Sequence, residues 1–388
     1  MAIRVGVAKE TAQGERRVAL TPESVGKLRA AEMSVLVERG AGNGASFTDI
    51  EYVDAGAKIV SAASLYSQSD AILRIHRPSP AELKLTHEGQ AVIGLLAPLL
   101  DPSAMAELAS RGVVAISLDA IPRTLSRAQG MDALSSQANV AGYKAVLVAA
   151  EAFGRYFPLL TTAAGTAKPA NVLVLGIGVA GLQAIATARR LGAQVKAYDV
   201  RPETREQAES LGAQFVTLTS VSDGAGEGGY ARALTAEEQA AQQAELNDII
   251  AAQDIVITTA QVPGRKPPIL VSATAVDCMK PGSIIVDIAA SDLGGNCELS
   301  VAGRVTVTRN GVAIHAPVNL PASMPTGASL FYSRNISNLL MHFVQHGELR
   351  FDFQDEITSG TVITYGGQVV QEATARLLSK PTRGGAKA

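Results

Sequence analysis

Two cysteines, five histidines and a formal net charge of −2 in 388 residues leave several kinds of chemistry without their materials. Cys278 and Cys297 lie far apart with no second pair, so neither a disulfide framework nor a zinc site is indicated. Lysines and arginines are spread along the chain, which argues against nucleic acid as a partner and against a polybasic membrane anchor. Long apolar runs are missing as well. VIGLLAPLL, from Val92 to Leu100, stops far short of the roughly 20 residues that span a bilayer. The opening MAIRVGVAKE passes straight into a strand pattern without a signal-peptide core, so a soluble, cytoplasmic chain with no direct membrane insertion is expected. His342 and His346 are spaced to share one face of a helix. No glutamate follows the first of them, and LLMHFVQHGE otherwise reads as an ordinary amphipathic helix, so no metal is expected there. His76, His87 and His315 are isolated.

What the chain does have is length, a hydrophobic content of 47%, and one strongly patterned stretch. These suffice for two α/β domains with full cores and exclude a disordered or fibrous chain. Residues 172 to 201 read VLVLGIGVAGLQAIATARRLGAQVKAYDVR: an apolar strand, a glycine turn, a helix, and a second strand ending on an acid. This is the pattern of a dinucleotide-binding βαβ unit. Gly176 makes the tight turn, Gly178 lets the backbone approach a pyrophosphate, and Gly181 lets the helix pack closely on the strand. The phosphates sit at the positive end of the helix that starts near Val179. Asp199, about twenty residues on, is placed to accept from the adenosine ribose hydroxyls and to repel a 2′-phosphate, so NAD(H) is the expected cofactor rather than NADP(H). An arginine just past the acid, Arg201, is read as a phosphate or ribose neighbour.

Before that turn, strand-like runs alternate with helical patterns: 3–8, 34–38, 71–76, 92–96 and 113–117. Afterwards the alternation resumes with QFVTL, DIVITTA, SIIVDIA and VTVTRNGVAI. Each half predicts a parallel sheet with helices on both faces, and so two Rossmann-like, doubly wound domains. Their expected extents are 1–130 with 330–388, and 140–320. Long helices over 131–154 and 329–346 would join them. Thr21 and Pro22 read as the cap and first residue of a helix. The loop 220–230 carries four glycines, Gly224, Gly226, Gly228 and Gly229. Its composition suits a lid over bound cofactor and a solvated linker equally.

SRAQGMDALSSQANVAGYKA, from Ser126 to Ala145, closely resembles the NAD(H)-binding alpha-1 subunit (domain I) of proton-translocating nicotinamide nucleotide transhydrogenases. The likeness runs through GVAKE, GERRVALTP, TTAAGTAKPA, ITTAQVPGRKPP and GGNCE, and so covers nearly the whole chain. The resemblance implies a nicotinamide-side loop at Arg123, Gln129, Asp132 and Ser135, with Arg127, Gly130 and Met131 beside the cofactor. One extra residue between Pro122 and Ser126 leaves Arg123 or Arg127 as the loop arginine, with Arg123 favoured. On the adenosine side it implies Val179, Asp199, Val200, Arg201, Gly229 and Thr259, with Tyr230 as the aromatic of a mobile loop. It further implies a homodimer, an NADP(H)-binding beta subunit, a membrane-spanning alpha-2 subunit that seats this chain on the inner face of the cell membrane, and hydride transfer coupled to proton movement. Spacing alone would read Asp132 and Ser135 as a polar helix start.

Two other readings are open. Alanine dehydrogenases share the two-domain layout and the GERRVALTP opening, but Arg74 stands where that family has its substrate lysine and Ala97 where it has its catalytic histidine, with Arg17 and Asp292 as possible survivors. A non-catalytic NAD(H) sensor would carry the same binding residues.

Overall fold

In the computed structural model, residues 2–219, 236–261 and 266–379 are described. Two compact units divide the chain, the first made of 1–137 and 321–388 and the second of 138–320.

The first unit winds in strand–helix order. Its strands are β1 (Arg4–Val7), β2 (Ser34–Glu38), β3 (Lys58–Val60), β4 (Ala71–His76), β5 (Ala91–Leu95) and β6 (Val114–Ser117). Between them run α1 (Pro22–Ala30), α2 (Asp49–Asp54), α3 (Ala62–Gln68), α4 (Pro80–Leu83) and α5 (Pro102–Ser110). The sheet order is β3-β2-β1-β4-β5-β6, all parallel, which is the doubly wound order. Burial on both faces explains why four of the six residues of β4 are apolar: Ala71, Leu73 and Ile75 point into one core and Ile72 into the other. Capping boxes start α2 (Thr48 with Glu51) and α4 (Ser79 with Glu82). Pro22 does open α1, but the Thr21 hydroxyl makes no cap bond and lies 3.4 Å from that of Ser333.

Helix α6 (Ala133–Ala152) starts in the first unit, and the boundary falls between Gln137 and Ala138. The second unit then adds an exposed hairpin, β7 (Leu160–Thr162) with β8 (Gly165–Ala167), where the sequence suggested no strands. Its sheet comprises β9 (Asn171–Leu175), β10 (Gln194–Tyr198), β11 (Gln214–Phe215), β12 (Ile255–Thr258), β13 (Ile284–Asp287), β14 (Val305–Val307) and β15 (Ala313–His315). The intervening helices are α7 (Val179–Arg190), α8 (Arg205–Ser210), α9 (Ala236–Ala251) and α10 (Ala273–Cys278). The order is β11-β10-β9-β12-β13-β15-β14. Val172 and Val174 of β9 face one core, Leu173 and Leu175 the other. VTVTRNGVAI is not one strand. Asn310 and Gly311 (φ +80°) turn the chain, so β14 runs antiparallel to β15.

The chain returns to the first unit with α11 (Pro325–Phe343), whose Tyr332, Ile336, Leu339, Leu340 and Phe343 complete the core there. It ends earlier than the sequence suggests. Val344–Gln345 pairs with Glu348–Leu349 in a hairpin turned at His346 (φ +53°) and Gly347, so His342 and His346 do not share a helix face. Next come α12 (Glu356–Thr361) and α13 (Glu372–Ser379). No helix among the described residues is long and apolar enough to cross a membrane.

Two helical glycines test this packing in opposite directions. A Cβ on Gly142 of α6 would stand closer than 3.0 Å to the Ala180 carbonyl of α7, whereas one on Gly26 of α1 meets open space. Gly142→Ala should lower stability by about 1–3 kcal/mol through overpacking. Gly26→Ala should raise it by up to about 1 kcal/mol from helix propensity. Urea midpoints that move in the same direction would contradict the assignment.

Candidate functional site

In the second unit the glycine turn has the backbone geometry its spacing predicts. Gly176 follows β9 at φ +96°, and a Cβ there would press on Thr259 Oγ1 and the Ala260 nitrogen. Thr259 donates to the Gly176 carbonyl at 2.8 Å, tying the turn to the end of β12. A Cβ on Gly181 would fall within 3.0 Å of that same carbonyl, which is why α7 can lie so close to β9. Gly178 differs from both. It is the N-cap of α7, gives the helix no side-chain cap, and has no heavy atom within 4 Å of where a Cβ would be. The helix thus begins at Val179 with no side-chain cap and with open space beside Gly178, the arrangement that can receive a phosphate.

Asp199, just after β10, is already engaged. One carboxylate oxygen accepts from the Ile177 N–H (2.6 Å) and Arg201 Nη2 (2.9 Å), the other from the Arg201 N–H and Nε, both at 2.9 Å. Burial alone would raise its pKa, but the Arg201 fork and the two backbone donors hold it below the ordinary carboxylate value. Arg201 also donates to the Ile177 carbonyl, so acid and arginine brace the glycine turn together. Val200 is exposed beside them. Gly229 and Tyr230 lie outside the described residues.

The residues that the resemblance assigns to the nicotinamide side, Arg123, Gln129, Asp132 and Ser135, belong to the first unit. A 3-10 segment, Ser126–Met131, leads to Asp132 and then α6. Arg123 Nε donates to Asp132 Oδ2 (3.0 Å) and Arg123 Nη2 to Ser135 Oγ (2.7 Å). Ser135 closes the ring by donating to Asp132 through its N–H (2.8 Å) and its hydroxyl (2.6 Å). Asp132 is therefore both the cap of α6 and the partner of Arg123. Gln129 is exposed, and its amide has no hydrogen bond among the described residues. Arg127 is drawn elsewhere, to Asp355 at 2.7 Å. Asp355 caps α12 and also takes His342 Nε2 at 2.9 Å; although burial opposes it, these donors hold its pKa down at about 2. Gly130 offers its carbonyl to Asn335 and Asn338 of α11, and Met131 packs on the core. Asn335, Asn338 and Asp355 had no signal in sequence, because each is encoded far from the loop it holds.

The first unit also has a cavity of about 680 Å³, lined by Glu10, Arg74, His76, Arg77, Ala97 and Asp101 among others. Its cations are committed. Arg74 is fully buried and bonds Tyr66 Oη, the His76 carbonyl and Glu82, and Arg77 pairs with Asp101. Ala97, at φ +53°, supplies no proton-transferring group. Arg17 is buried and bonds Glu15 and Gln137, while Asp292 is exposed in a loop of the second unit. Burial pushes Glu10 upward in pKa.

Family models for the alanine dehydrogenase/PNT N-terminal and C-terminal domains match residues 6–141 and 145–372. The chain is 43% identical over 381 residues to the alpha-subunit chain of NAD(P) transhydrogenase from Rhodospirillum rubrum, covering 96% of this chain and 98% of that one. The solved transhydrogenase of Sinorhizobium meliloti superposes with a TM-score of 0.86 at 44% identity, covering 95% of this chain and all of that one. Alanine dehydrogenase of Bacillus subtilis is more distant, 28% identical over 381 residues, 96% of this chain and 94% of that one.

Glu15 gives this unit a signed dependence on pH. Its buried carboxylate works against desolvation, yet the Arg17 and His76 hydrogen bonds depress its pKa far below the ordinary 4.5. A depressed folded value contributes stability that is fully present above about 4.5 and is lost as pH falls from there toward the folded value. The melting temperature should therefore drop on acidification below about pH 4.5. Glu15→Gln should lower the melting temperature at pH 7 and flatten that acid slope; an unchanged slope would show that Glu15 is not the group responsible.

Proposed function

The chain belongs to the alanine dehydrogenase/PNT family, on the side of the NAD(P) transhydrogenase alpha subunits, and on that premise we propose that it binds NAD(H) and passes hydride to NADP+ held by a partner subunit. The observation that carries the reading is the open, uncapped start of α7 at Gly178, with the Asp199 carboxylate fixed beside it. Those residues fit a dinucleotide: Gly178 and Val179 offer N–H groups to a pyrophosphate, and Asp199 with Val200 and Arg201 forms the rim for an adenosine ribose. Ribose hydroxyls would compete with the Arg201 fork for Asp199. NAD(H), when bound, supplies the hydride, and exchange between two nicotinamide rings needs no general base. What the protein contributes is approach and alignment, with reacting atoms about 3–3.5 Å apart.

In this reading Arg123, Asp132 and Ser135 form a rigid polar rim, and the free amide of Gln129 is the group left to bond a nicotinamide or its ribose. Arg123, bound within that rim, is the loop arginine, and Arg127 anchors the segment from behind. An NADP(H)-binding beta subunit, a membrane-spanning alpha-2 subunit, a homodimeric state and coupling to proton translocation at the inner face of the cell membrane complete the proposal. Amino-acid oxidation is the less favoured reading, because Arg74 is sequestered and Ala97 cannot move a proton.

Mixing the chain with an NADP(H)-binding partner subunit should yield transfer from NADH to bound NADP+, and the chain alone should not aminate pyruvate. Activity on pyruvate and ammonium without a partner would reverse the choice. Asp199→Ala should weaken NADH binding by about 1–3 kcal/mol and, by freeing Arg201, narrow the preference over NADPH. Calorimetric titrations matching wild type for both cofactors would refute this. Gln129→Ala and Arg123→Ala should slow transfer more than they weaken NADH binding. Equal losses in rate and affinity would make them mere anchors.

A further inference from the structure

Behind the Asp132–Ser135 rim lies a run of buried polar side chains that the proposed chemistry does not use directly. It starts at Glu15, whose carboxylate binds Arg17 and His76. Arg17 Nη1 donates to Gln137 Oε1 at 2.8 Å, and Gln137 Nε2 reaches the Ser136 hydroxyl at 3.3 Å and the Ala328 carbonyl at 3.1 Å. The Ser136 hydroxyl lies 2.7 Å from Asn335 Oδ1, and Asn335 Nδ2 donates to the Gly130 carbonyl at 3.0 Å. Arg17, Gln137 and Asn335 are all buried. A flipped Asn335 amide would set its oxygen against the Gly130 carbonyl, so the two bonds fix one orientation.

These bonds bracket a short stretch of chain. Gly130 and Ser136 are the residues on either side of Met131–Ser135, the segment that holds Asp132 and Ser135 and lies just after Gln129. A single side chain from α11 thus bridges the two ends of the segment. Buried hydrogen-bond chains of this kind stiffen what they hold, since a broken link leaves a polar group without a partner in low dielectric.

We propose that Asn335 is a positioning residue for hydride transfer, clamping Gly130 to Ser136 so that Gln129, Asp132 and Ser135 keep one geometry. This rests on the transhydrogenase reading above. Asn338 donates to the same Gly130 carbonyl at 2.9 Å but does not reach Ser136, so it holds one end only.

The test uses the full chain mixed with its NADP(H)-binding partner. Single-turnover transfer and NADH affinity are measured for wild type, Asn335→Ala, Ser136→Ala and Ser136→Thr, together with amide hydrogen exchange over 129–136. Asn335→Ala should slow transfer by about tenfold or more, as a misplaced rim would, with NADH affinity within about twofold of wild type. Ser136→Ala should follow in the same direction. Ser136→Thr, which keeps the hydroxyl, should restore the rate. Exchange over 129–136 should quicken in both alanine variants. Wild-type transfer rates in both alanine variants would overturn the proposal, as would parallel loss of rate and NADH affinity in variants that fold. Should wild type itself transfer nothing, the functional reading fails. Exchange then still decides the clamp, because unchanged protection in Asn335→Ala and Ser136→Ala would refute it. If Asn335→Ala does not fold, the serine pair carries the comparison alone.

Discussion

A strand can hand its chain to a helix within a few residues only if no side-chain carbon stands in the way, and the second unit is organised around that constraint. The Gly176 carbonyl is the crowded point: Thr259 donates to it, and Gly181 of α7 passes too close to it for any Cβ. From this contact follow the close seating of α7 on β9, the docking of the end of β12 onto the turn, and the exposure of the helix N-terminus at Gly178. The same turn is braced from the other side by Asp199 and Arg201, which grip the Ile177 backbone through its N–H and its carbonyl. The carboxylate is thus a piece of the turn's architecture as well as its rim. In the proposed function, a preference of Asp199 between cofactors would depend on how far Arg201 gives way.

The first unit solves a different problem with a similar sheet. Its first strand is not followed by a Gly-x-Gly-x-x-Gly turn, and its interior accommodates charge: Arg74 and Arg17 are both buried, and each is answered by a carboxylate and by neutral acceptors. Removing one partner of such a pair leaves an uncompensated buried charge and destabilises far more than replacing the whole pair with well-packed apolar side chains would. The polar chain running from Glu15 to Gly130 is the case where that arrangement meets a loop with proposed chemistry.

Much of the fold was legible because parallel strands buried on both faces leave a mostly apolar record, as in VLVL and, Arg74 and His76 aside, AILRIH, and because glycines at positions 176, 178 and 181 carry steric information locally. The rest depended on partners distant in sequence. Nothing near Arg123 or Arg127 says which of them joins Asp132 and Ser135; Asp355, from the far end of the chain, separates them by holding Arg127. LLMHFVQHGE keeps its helical spacing past Phe343, but a left-handed residue at His346 and Gly347 turns it into a hairpin. Leu160–Ala167 formed a hairpin that short, exposed, threonine-rich strands do not announce.

The first unit's core is closed by α11, and α11 is encoded after the whole of the second unit. Leaving the ribosome, residues 1–137 therefore appear first, yet the core that holds Val25, Leu28 and Tyr52 lacks Tyr332, Ile336 and Phe343 until residue 343 has emerged. The later-made unit is the one that can finish first. The amino-terminal core therefore gains its full set of side chains only after the whole of the second unit has been synthesised, and until then the surface that α11 covers has no cover from its own chain.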